Sequence, residues 1–531
     1  MEMTDKTFLY DRYKNVDYLT GDKEAQEPEI IQFKYSDEAC EMLKKHINNN
    51  SNIWLQADVD VDGLLSTKTV DSFISYLNSN IKVKLMINRE KVHGISKNHV
   101  DHINKLGNVD LFIVVDSSSN EVENIKNIKC DVLVIDHHEL LHNELYGKTA
   151  DGEYCIISNM CDGENFKSDS RMSACMVCYE LLRYLQRKYN TLDILKDRMM
   201  YNWVAITLFT DVINNDRLEN IYYITKSLSS ENIEPCIKTM IEAFDYRYRG
   251  RSKQKLDKSF ISFSLATLFN GAIRTGNSHI ALDIALNRPM DIWELEKFKN
   301  QQNKEIEGIT EQAREFDRFT VVDTTYTKLS SNYAGLIATK CVDYYKKTSI
   351  AYKMYRATRE DGTDYVYAKG SFRGCYGDTD YRKALGDLGY FAEGHPNAFG
   401  FEIPVENLKI VMEYLVTYES DIEHREYVSV GNVKKEDRGI HHFDNMNELL
   451  SSGYVWKIGI LNSRISSQNE CVNLVVPSNS LELTEEREKV CYYRCMGLER
   501  CMAFEKIQTE LIYLYIEYSD QIKVYIRNKW R

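Results

Sequence analysis

Polar lead-in sequence, with a helical pattern near Ser36–Ile47, gives way to short apolar runs separated by segments of helical period. Ile53–Ala57 reads as a strand, Leu64–Leu77 as a helix and Val83–Ile87 as a strand. His99–Leu106 is helical, Leu111–Val115 is a buried strand, and Val132–Ile135 follows a short helix as the next strand. Strands alternating with helices in this way predict βαβ units and a parallel, doubly wound sheet. Residues 171–230 read as helical, and their apolar stretch Trp203–Thr210 ends at Asp211. Asp291–Phe316 predicts one long helix, in which Ile292, Leu295, Phe298, Ile306 and Ile309 make a narrow apolar stripe on a charged segment. Phe319–Val322, Ala334–Tyr345 and Ile350–Tyr355 then restart an α/β pattern. Beyond Tyr418, the runs Tyr427–Val433, Tyr454–Leu461 and Cys471–Val476 read as strands of a small barrel, and Glu485–Tyr518 reads as helix.

Composition narrows the class. A chain of 531 residues has room for roughly three or four domains. Hydrophobic content of 43% and charged content of 28% fit a soluble globular protein. The 13 cysteines are scattered, and the nearest pairs, Cys155/Cys161, Cys175/Cys178 and Cys491/Cys495, lack zinc-finger spacing. Reduced thiols in a cytoplasmic protein are the expectation. The polar start Met1–Lys6 has no signal-peptide core, and no apolar run approaches the ~20 residues of a membrane span. A net charge of −13 argues against coating nucleic acid through bulk charge. It leaves room for an enzyme with a local basic channel and an acidic, metal-loaded centre.

The chemistry gathers at the strand ends. Asp58, Asp60 and Asp62 alternate where the first strand meets a helix. Alternate residues of an extended segment point the same way, so three carboxylates would crowd one face. Such carboxylates repel unless a cation neutralises them, and hard divalent ions take carboxylate oxygens. A solvated acidic loop would produce the same short stretch. The other strand ends carry ligand-type residues too: Asn88-Arg89, then Asp116, then Asp136-His137-His138. In a parallel α/β sheet the carboxyl ends of the strands form the functional crevice. Asp211 is the remaining candidate to complete a carboxylate-rich set. The most basic segment, Tyr246–Lys255, interleaves Tyr246 and Tyr248 with Arg247, Arg249, Arg251, Lys253 and Lys255. It could stack bases and bind backbone, or it could be a solvated loop.

The order Asp-x-Asp-x-Asp-Gly, Val-Asp, Asp-His-His and then Asp resembles the DHH phosphoesterase superfamily, with a closer likeness to its RecJ branch. Asn88–Ser96 is similar to the RecJ Asn-Arg…Gly-Tyr-Gly segment, and Ile261–Arg274, ending in Phe269–Arg274, to the family's Asn-Ala-Ala-Gly-Arg segment. Ala368–Arg373 and Gly394–Gly400 resemble the two signatures of the DHH-associated domain. The likeness runs from about Ile53 to about Leu415. Three positions depart from it. The glycine usual after Val-Asp is Ser118, the Gly-Gly-His is Glu393-Gly394-His395, and the Gly-Arg is Ile273-Arg274.

The resemblance implies an α/β protein with four parts. These are a parallel-sheet DHH catalytic domain over 1–285, a connecting helix over 286–318, a smaller α/β DHH-associated domain over 319–420, and an oligonucleotide-barrel-like and helical region over 421–531. Two Mn²⁺ ions, or Mg²⁺, would be held by Asp58, Asp60, Asp116, His137 and Asp211. Asp116 would bridge them, Asp58 would serve one ion, and Asp60, His137 and Asp211 the other. Two cations on the order of 4 Å apart neutralise charge growing on a phosphate. His138, Asp136 and Asp62 complete the catalytic set, with His138 facing the scissile phosphate and the two carboxylates orienting ligands or capping backbone. Arg89, Asn270, Arg274, Ser371, Arg373, Gly394 and His395 would contact substrate, because arginine forks onto phosphate without reading sequence. The implied activity is 5′→3′ hydrolysis of single-stranded DNA, with roles in repair and recombination, and no membrane partner is implied. Two alternatives stay open: a nanoRNase or linear-dinucleotide phosphodiesterase of the same superfamily, and a non-catalytic DNA-binding scaffold. Inactive superfamily members lose ligands, and here the set is intact.

Overall fold

The computed structural model describes residues 25–88, 94–211, 213, 217–230, 233–245, 256, 260–316, 319–345, 347–358, 362–374, 381–395 and 398–418, together with six strands beyond them. It divides into two compact units, one spanning Glu24–Gln302 and the other beginning at Asn303.

The first unit contains α1 (Ser36–Asn48), β1 (Ile53–Ala57), α2 (Val61–Leu77), β2 (Lys84–Ile87), α3 (Lys97–Leu106) and β3 (Leu111–Val115). It continues through α4 (Val122–Lys126), β4 (Asp131–Asp136), β5 (Tyr146–Lys148), β6 (Glu153–Ser158), α5 (Ala174–Tyr189) and α6 (Tyr201–Thr210). Further helices are α7 (Leu218–Ser229), α8 (Pro235–Phe244), α9 (Ala266–Arg274) and α10 (Ser278–Ala285). Its sheet has the order β2-β1-β3-β4-β6-β5. Every pairing is parallel except that of β5 with β6.

The apolar runs of β3 and β4 are continuous because both faces of the sheet are covered. Leu111, Ile113 and Val115 join a core with α1, α2, α5 and α6, while Phe112 and Val114 face Val100, Ile103, Val122 and Ile125 of α3 and α4. Strands β2 and β3 flank β1 on opposite sides. The winding therefore reverses between β1 and β3, and a crevice opens at their carboxyl ends.

One boundary matters for the chemistry. The helix expected from Leu64 begins at Val61, because Asp60 caps it: its Oδ1 accepts from the Gly63 backbone N–H at 3.0 Å. Asp58, Asp60 and Asp62 therefore do not line one face of an extended segment. Asp62 lies in the first helical turn. The turn is tight enough that a Cβ on Gly63 would sit 2.6 Å from the Asp58 carbonyl oxygen, so only glycine fits there.

Helix α11 (Glu294–Glu305) is shorter than the Asp291–Phe316 helix read from the apolar stripe. Gly308, at φ 69°, turns the chain into a single 3₁₀ turn at Ile309–Gln312. A left-handed glycine is a standard helix stop, and a stripe of apolar residues carries no record of it. The division between the units, at Gln302/Asn303, falls inside this helix.

The second unit contains β7 (Arg314–Glu315), β8 (Phe319–Asp323), α12 (Ala334–Tyr345), β9 (Thr348–Thr358), β10 (Asp364–Arg373), α13 (Tyr381–Asp387), β11 (Phe391–His395), β12 (Ala398–Pro404) and α14 (Val405–Thr417). Its sheet order is β11-β12-β10-β9-β8-β7. One face packs Ile350, Phe372, Phe399, Phe401 and Ile403 against Tyr381 and Leu385 of α13 and Val411 and Leu415 of α14. The other face packs Ala351 and Val322 against Ile337, Ala338 and Cys341 of α12.

Beyond Tyr418, Arg425–Val430 pairs with Trp456–Leu461. Gly439–Phe443, Ile522–Arg527, Leu511–Ile516 and Ser480–Leu481 form a four-stranded antiparallel sheet. The helix expected over Glu485–Tyr518 is thus corrected at Leu511–Ile516. That run mixes aliphatic and tyrosine residues without a charged break, and a short apolar run of this kind fits a strand as well as a helix. Cys471–Val476 lies outside the described residues.

The candidate metal centre

Asp58 follows β1 directly, Asp116 follows β3, and Asp136 ends β4 with His137 and His138 after it. The sheet order brings these three strand ends side by side, and α6 ends at Asp211. Among the described residues, three groups have ligand atoms within 4.8 Å of one another: Asp58/Asp60/Asp116, Asp116/His137/His138 and Asp62/His137/Asp211. Asp60 thus clusters with Asp58 and Asp116.

Asp116 is the shared centre. It is 1% exposed, and neither carboxylate oxygen accepts a hydrogen bond. Oδ2 of Asp211 is buried in the same condition. His137 Nε2 lies 3.3 Å from Asp116 and 3.6 Å from Asp211. Burial, and then the charges of Asp60, Asp62, Asp58 and Asp211, push the Asp116 carboxyl well above the usual carboxylate range. Burying an anion without a donor is expensive, and a cation resolves that expense. The donors are hard carboxylate oxygens and one imidazole with no thiolate, a set suited to Mn²⁺ or Mg²⁺. The residues present fit a divalent ion.

Asp116 itself has φ 63° and Ser118 has φ 79°. Non-glycine residues in this region are strained, and such strain collects at functional sites. The glycine of the motif is replaced by Ser118 at a position whose backbone favours glycine. Its hydroxyl accepts from the Ile95 N–H at 2.9 Å, which ties the loop after β3 to the segment leading into α3.

Around this centre, three side chains are held by backbone groups. His137 Nδ1 lies 2.9 Å from the Met172 carbonyl oxygen. Asp62 accepts from the N–H groups of Ala174 and Cys175, at 2.7 and 2.9 Å, and so caps α5. Burial, then Asp211 and Asp60, raise its carboxyl well above the usual range even though those two N–H groups favour the charge. Asp136 accepts from the N–H groups of Ser119, His137 and His138 and from His138 Nδ1, at 3.0, 2.7, 3.2 and 2.8 Å. For Asp136, burial works against the charge, but His138 outweighs it and holds the carboxyl far below the usual range. For His138, burial likewise opposes the charge, and Asp136 overrides it to raise the imidazole to about 10.

Residues 52–206 match the family described as DHH family, N-terminal domain. This segment is a DHH-family domain. The RecJ likeness of the motifs is matched by the fold. The fold of the chain is similar to RecJ from Thermus thermophilus in complex with Mn²⁺, with a TM-score of 0.57 and 17% identity over 78% of this chain and 61% of that one. The chain thus spans about three fifths of the Thermus protein. A second structure, exonuclease RecJ bound to manganese, is similar with a TM-score of 0.53 and 18% identity over 74% of this chain and 97% of that one. In sequence, the chain is 25% identical over 447 residues to "Putative SPbeta prophage-derived single-strand DNA-specific exonuclease YorK" of Bacillus subtilis (strain 168), covering 75% of this chain and 72% of that protein. No described helix is long and apolar enough to cross a membrane.

The DHH domain carries all the expected metal ligands except Asp211, which lies just beyond its end. The expected substrate residues are spread more widely. Asn270 and Arg274 lie one turn apart on α9, with Arg274 Nη1 donating to Gln302 at 3.3 Å. Arg89 and the basic segment Tyr246–Lys255 lie outside the described residues. Ser371, Arg373, Gly394 and His395 belong to the second unit. Arg373 Nη1 donates to Ser371 Oγ at 2.6 Å and to the Phe372 carbonyl at 2.7 Å, while Ser371 Oγ donates to the Phe399 carbonyl at 3.1 Å. Gly394 has φ 126° and pairs with Phe399, and His395 pairs with Ala398. Sequence reasoning missed Met172, Ser119, Ala174 and Cys175. Each acts through a backbone atom, which no side-chain pattern reveals.

Proposed function

We propose that this protein is a divalent-metal-dependent exonuclease that hydrolyses phosphodiester bonds of single-stranded DNA from the 5′ end. The observation that carries the reading is Asp116: a buried carboxylate with no hydrogen-bond donor, surrounded by further carboxylates and an imidazole nitrogen. The single-strand-specific exonuclease name of the Bacillus relative supports the substrate class. The 5′ direction rests on the motif resemblance.

Asp58, Asp60, Asp116, His137 and Asp211 would hold the ions. When bound, two divalent ions supply Lewis acidity to the phosphate and lower the pKa of water. The remaining steps belong to the chain. Met172 keeps the His137 ring turned toward Asp116 and Asp211. Asp136 keeps His138 cationic, so its Nε2–H can donate a charge-assisted hydrogen bond to a non-bridging oxygen of the scissile phosphate. Asp62 fixes the start of α5 beneath the site and orients rather than reacts. Arg89, Asn270, Arg274, Ser371, Arg373, Gly394 and His395 would hold the strand by its phosphates.

The test is incubation of purified protein with 3′-labelled and 5′-labelled single strands, in Mn²⁺, Ca²⁺ or chelator. The expected result is a descending ladder from the 3′ label, immediate release of the 5′ label as a small fragment, and loss of both in chelator. Equal activity in chelator or Ca²⁺ would overturn the metal reading. Intact long strands beside consumed dinucleotides would replace it with a short-substrate phosphodiesterase. Tight binding with no cleavage in any metal would replace it with a scaffold.

A further inference from the structure

We propose that Tyr355, Tyr365 and Tyr367 form a base-stacking surface for a single nucleic-acid strand on the second unit's sheet. The choice of occupant rests on the function proposed above. β9 and β10 pair antiparallel with Tyr355 directly opposite Tyr367, and Tyr365 lies two residues earlier on β10. Residues two apart on a strand share a face, so Tyr365, Tyr367, Lys369, Ser371 and Arg373 follow one another along one side of β10. Their cross-strand partners Lys353 and Tyr355 lie on that side too.

α12 covers the inner end of this face, at Ala351 and, through Gly335, at Ser371 and Arg373. Beyond it the three tyrosines are half-buried. Their rings form a row. Tyr355 and Tyr367 stack with centroids 5.8 Å apart at 28°, and Tyr365 and Tyr367 lie 5.6 Å apart at 32°. Two lysines flank the row, and one of them is paired with a carboxylate. Lys353 donates to the carbonyl oxygens of Thr327 and Leu329, at 3.1 and 2.7 Å, which leaves its charge uncancelled by those contacts. Lys369 is paired with Glu402 at 2.6 Å.

A cross-strand aromatic pair by itself steadies a hairpin. Here the row has a third ring, lies outside the packed core, and runs along one strand toward Ser371 and Arg373. Aromatic rings beside Lys353 suit bases joined by phosphates, and stacking tolerates any base. This would let the enzyme hold strands of any sequence, with phosphate contacts at the Arg373 end and base contacts at the tyrosine end.

The experiment measures binding in EDTA, so that no strand is consumed. Its probes are a fluorescent oligothymidylate and an abasic strand of equal length and charge. The native protein should prefer the oligothymidylate by at least about tenfold. The triple variant Tyr355→Leu/Tyr365→Leu/Tyr367→Leu keeps strand-compatible residues and should lose that preference while still binding both strands through phosphate. The corresponding Tyr→Phe triple variant should keep it. Equal binding of the two probes by the native protein, or an undiminished preference in the Leu variant, would overturn the proposal. Failure of the native protein to hydrolyse any strand would overturn the exonuclease reading alone, since the base preference is read without hydrolysis.

Discussion

His137 Nδ1 and the Met172 carbonyl oxygen are 2.9 Å apart, and a carbonyl only accepts. Nδ1 therefore carries a proton, which leaves Nε2, the nitrogen that faces Asp116 and Asp211, as the atom that would bind an ion. A histidine ligand is typically fixed in this way by a hydrogen bond from its other nitrogen. His137→Ala should weaken Mn²⁺ binding by at least about 10-fold to 100-fold, the range seen even for losing such an orienting partner. The check is a calorimetric titration of Mn²⁺ into chelator-treated protein. Unchanged affinity would remove His137 from the ligand set.

Asp116 and Asp62 are both buried acids, yet their removal should have opposite signatures. Asp116→Ala should lower turnover by at least about 100-fold, the scale of losing a key electrostatic element. It should leave the metal-free fold no less stable, because it removes a buried carboxyl group whose oxygens accept no hydrogen bond. Asp62→Ala should destabilise the fold by about 1–3 kcal/mol, because the Ala174 and Cys175 N–H groups lose their acceptor. Urea denaturation of both variants in chelator, beside turnover in Mn²⁺, separates the two roles. A stable, fully active Asp62→Ala protein would contradict the capping role.

The Asp136–His138 pair makes stability depend on pH. The folded pKa of His138 is raised to about 10, so its contribution is complete below the ordinary histidine value of about 6.5 and is lost as pH rises through about 10. The folded pKa of Asp136 is lowered, so its contribution is present above the ordinary value of about 3.9 and is lost in acid. Asp136→Asn still offers an oxygen to the backbone N–H groups but removes the charge. Its deficit relative to the native protein, in chelator, should be greatest near about pH 6 and shrink above about pH 10. A constant deficit across that range would mean that the pair's charge does not contribute.

Ser118 combines a left-handed backbone with a useful hydroxyl. Ser118→Gly should remove strain of roughly 1–2 kcal/mol and lose a hydrogen bond worth about 0.5–1.5 kcal/mol, for a small net change. Ser118→Ala keeps the strain and loses the bond, so it should be the less stable of the two. Denaturant midpoints of the three proteins test the order. An alanine variant more stable than the glycine variant would refute the strained backbone at this position.

The residue pattern alone was enough to call the parallel sheet, because strand-length apolar runs alternating with helical periods have few other ways to bury their faces. It also determined that Asp58, Asp116, Asp136 and His137 stand at strand ends, since each follows or closes an apolar run. Family motifs then pointed to Asp211, which no periodicity marks. Which atoms are used became visible in the folded chain. Asp62 reads in sequence as the third of three equivalent carboxylates, yet helix α2 starts before it and turns it onto the N–H groups of Ala174 and Cys175. Met172 is 35 residues from His137 and contributes a backbone oxygen. The end of α11 at Glu305, ahead of the left-handed Gly308, and the strand at Leu511–Ile516 escape an apolar stripe for the same reason. Periodicity records which side of a segment faces a core. Backbone dihedrals, hydrogen-bond partners distant in sequence and the choice between strand and helix for a short apolar run are settled by what packs against it.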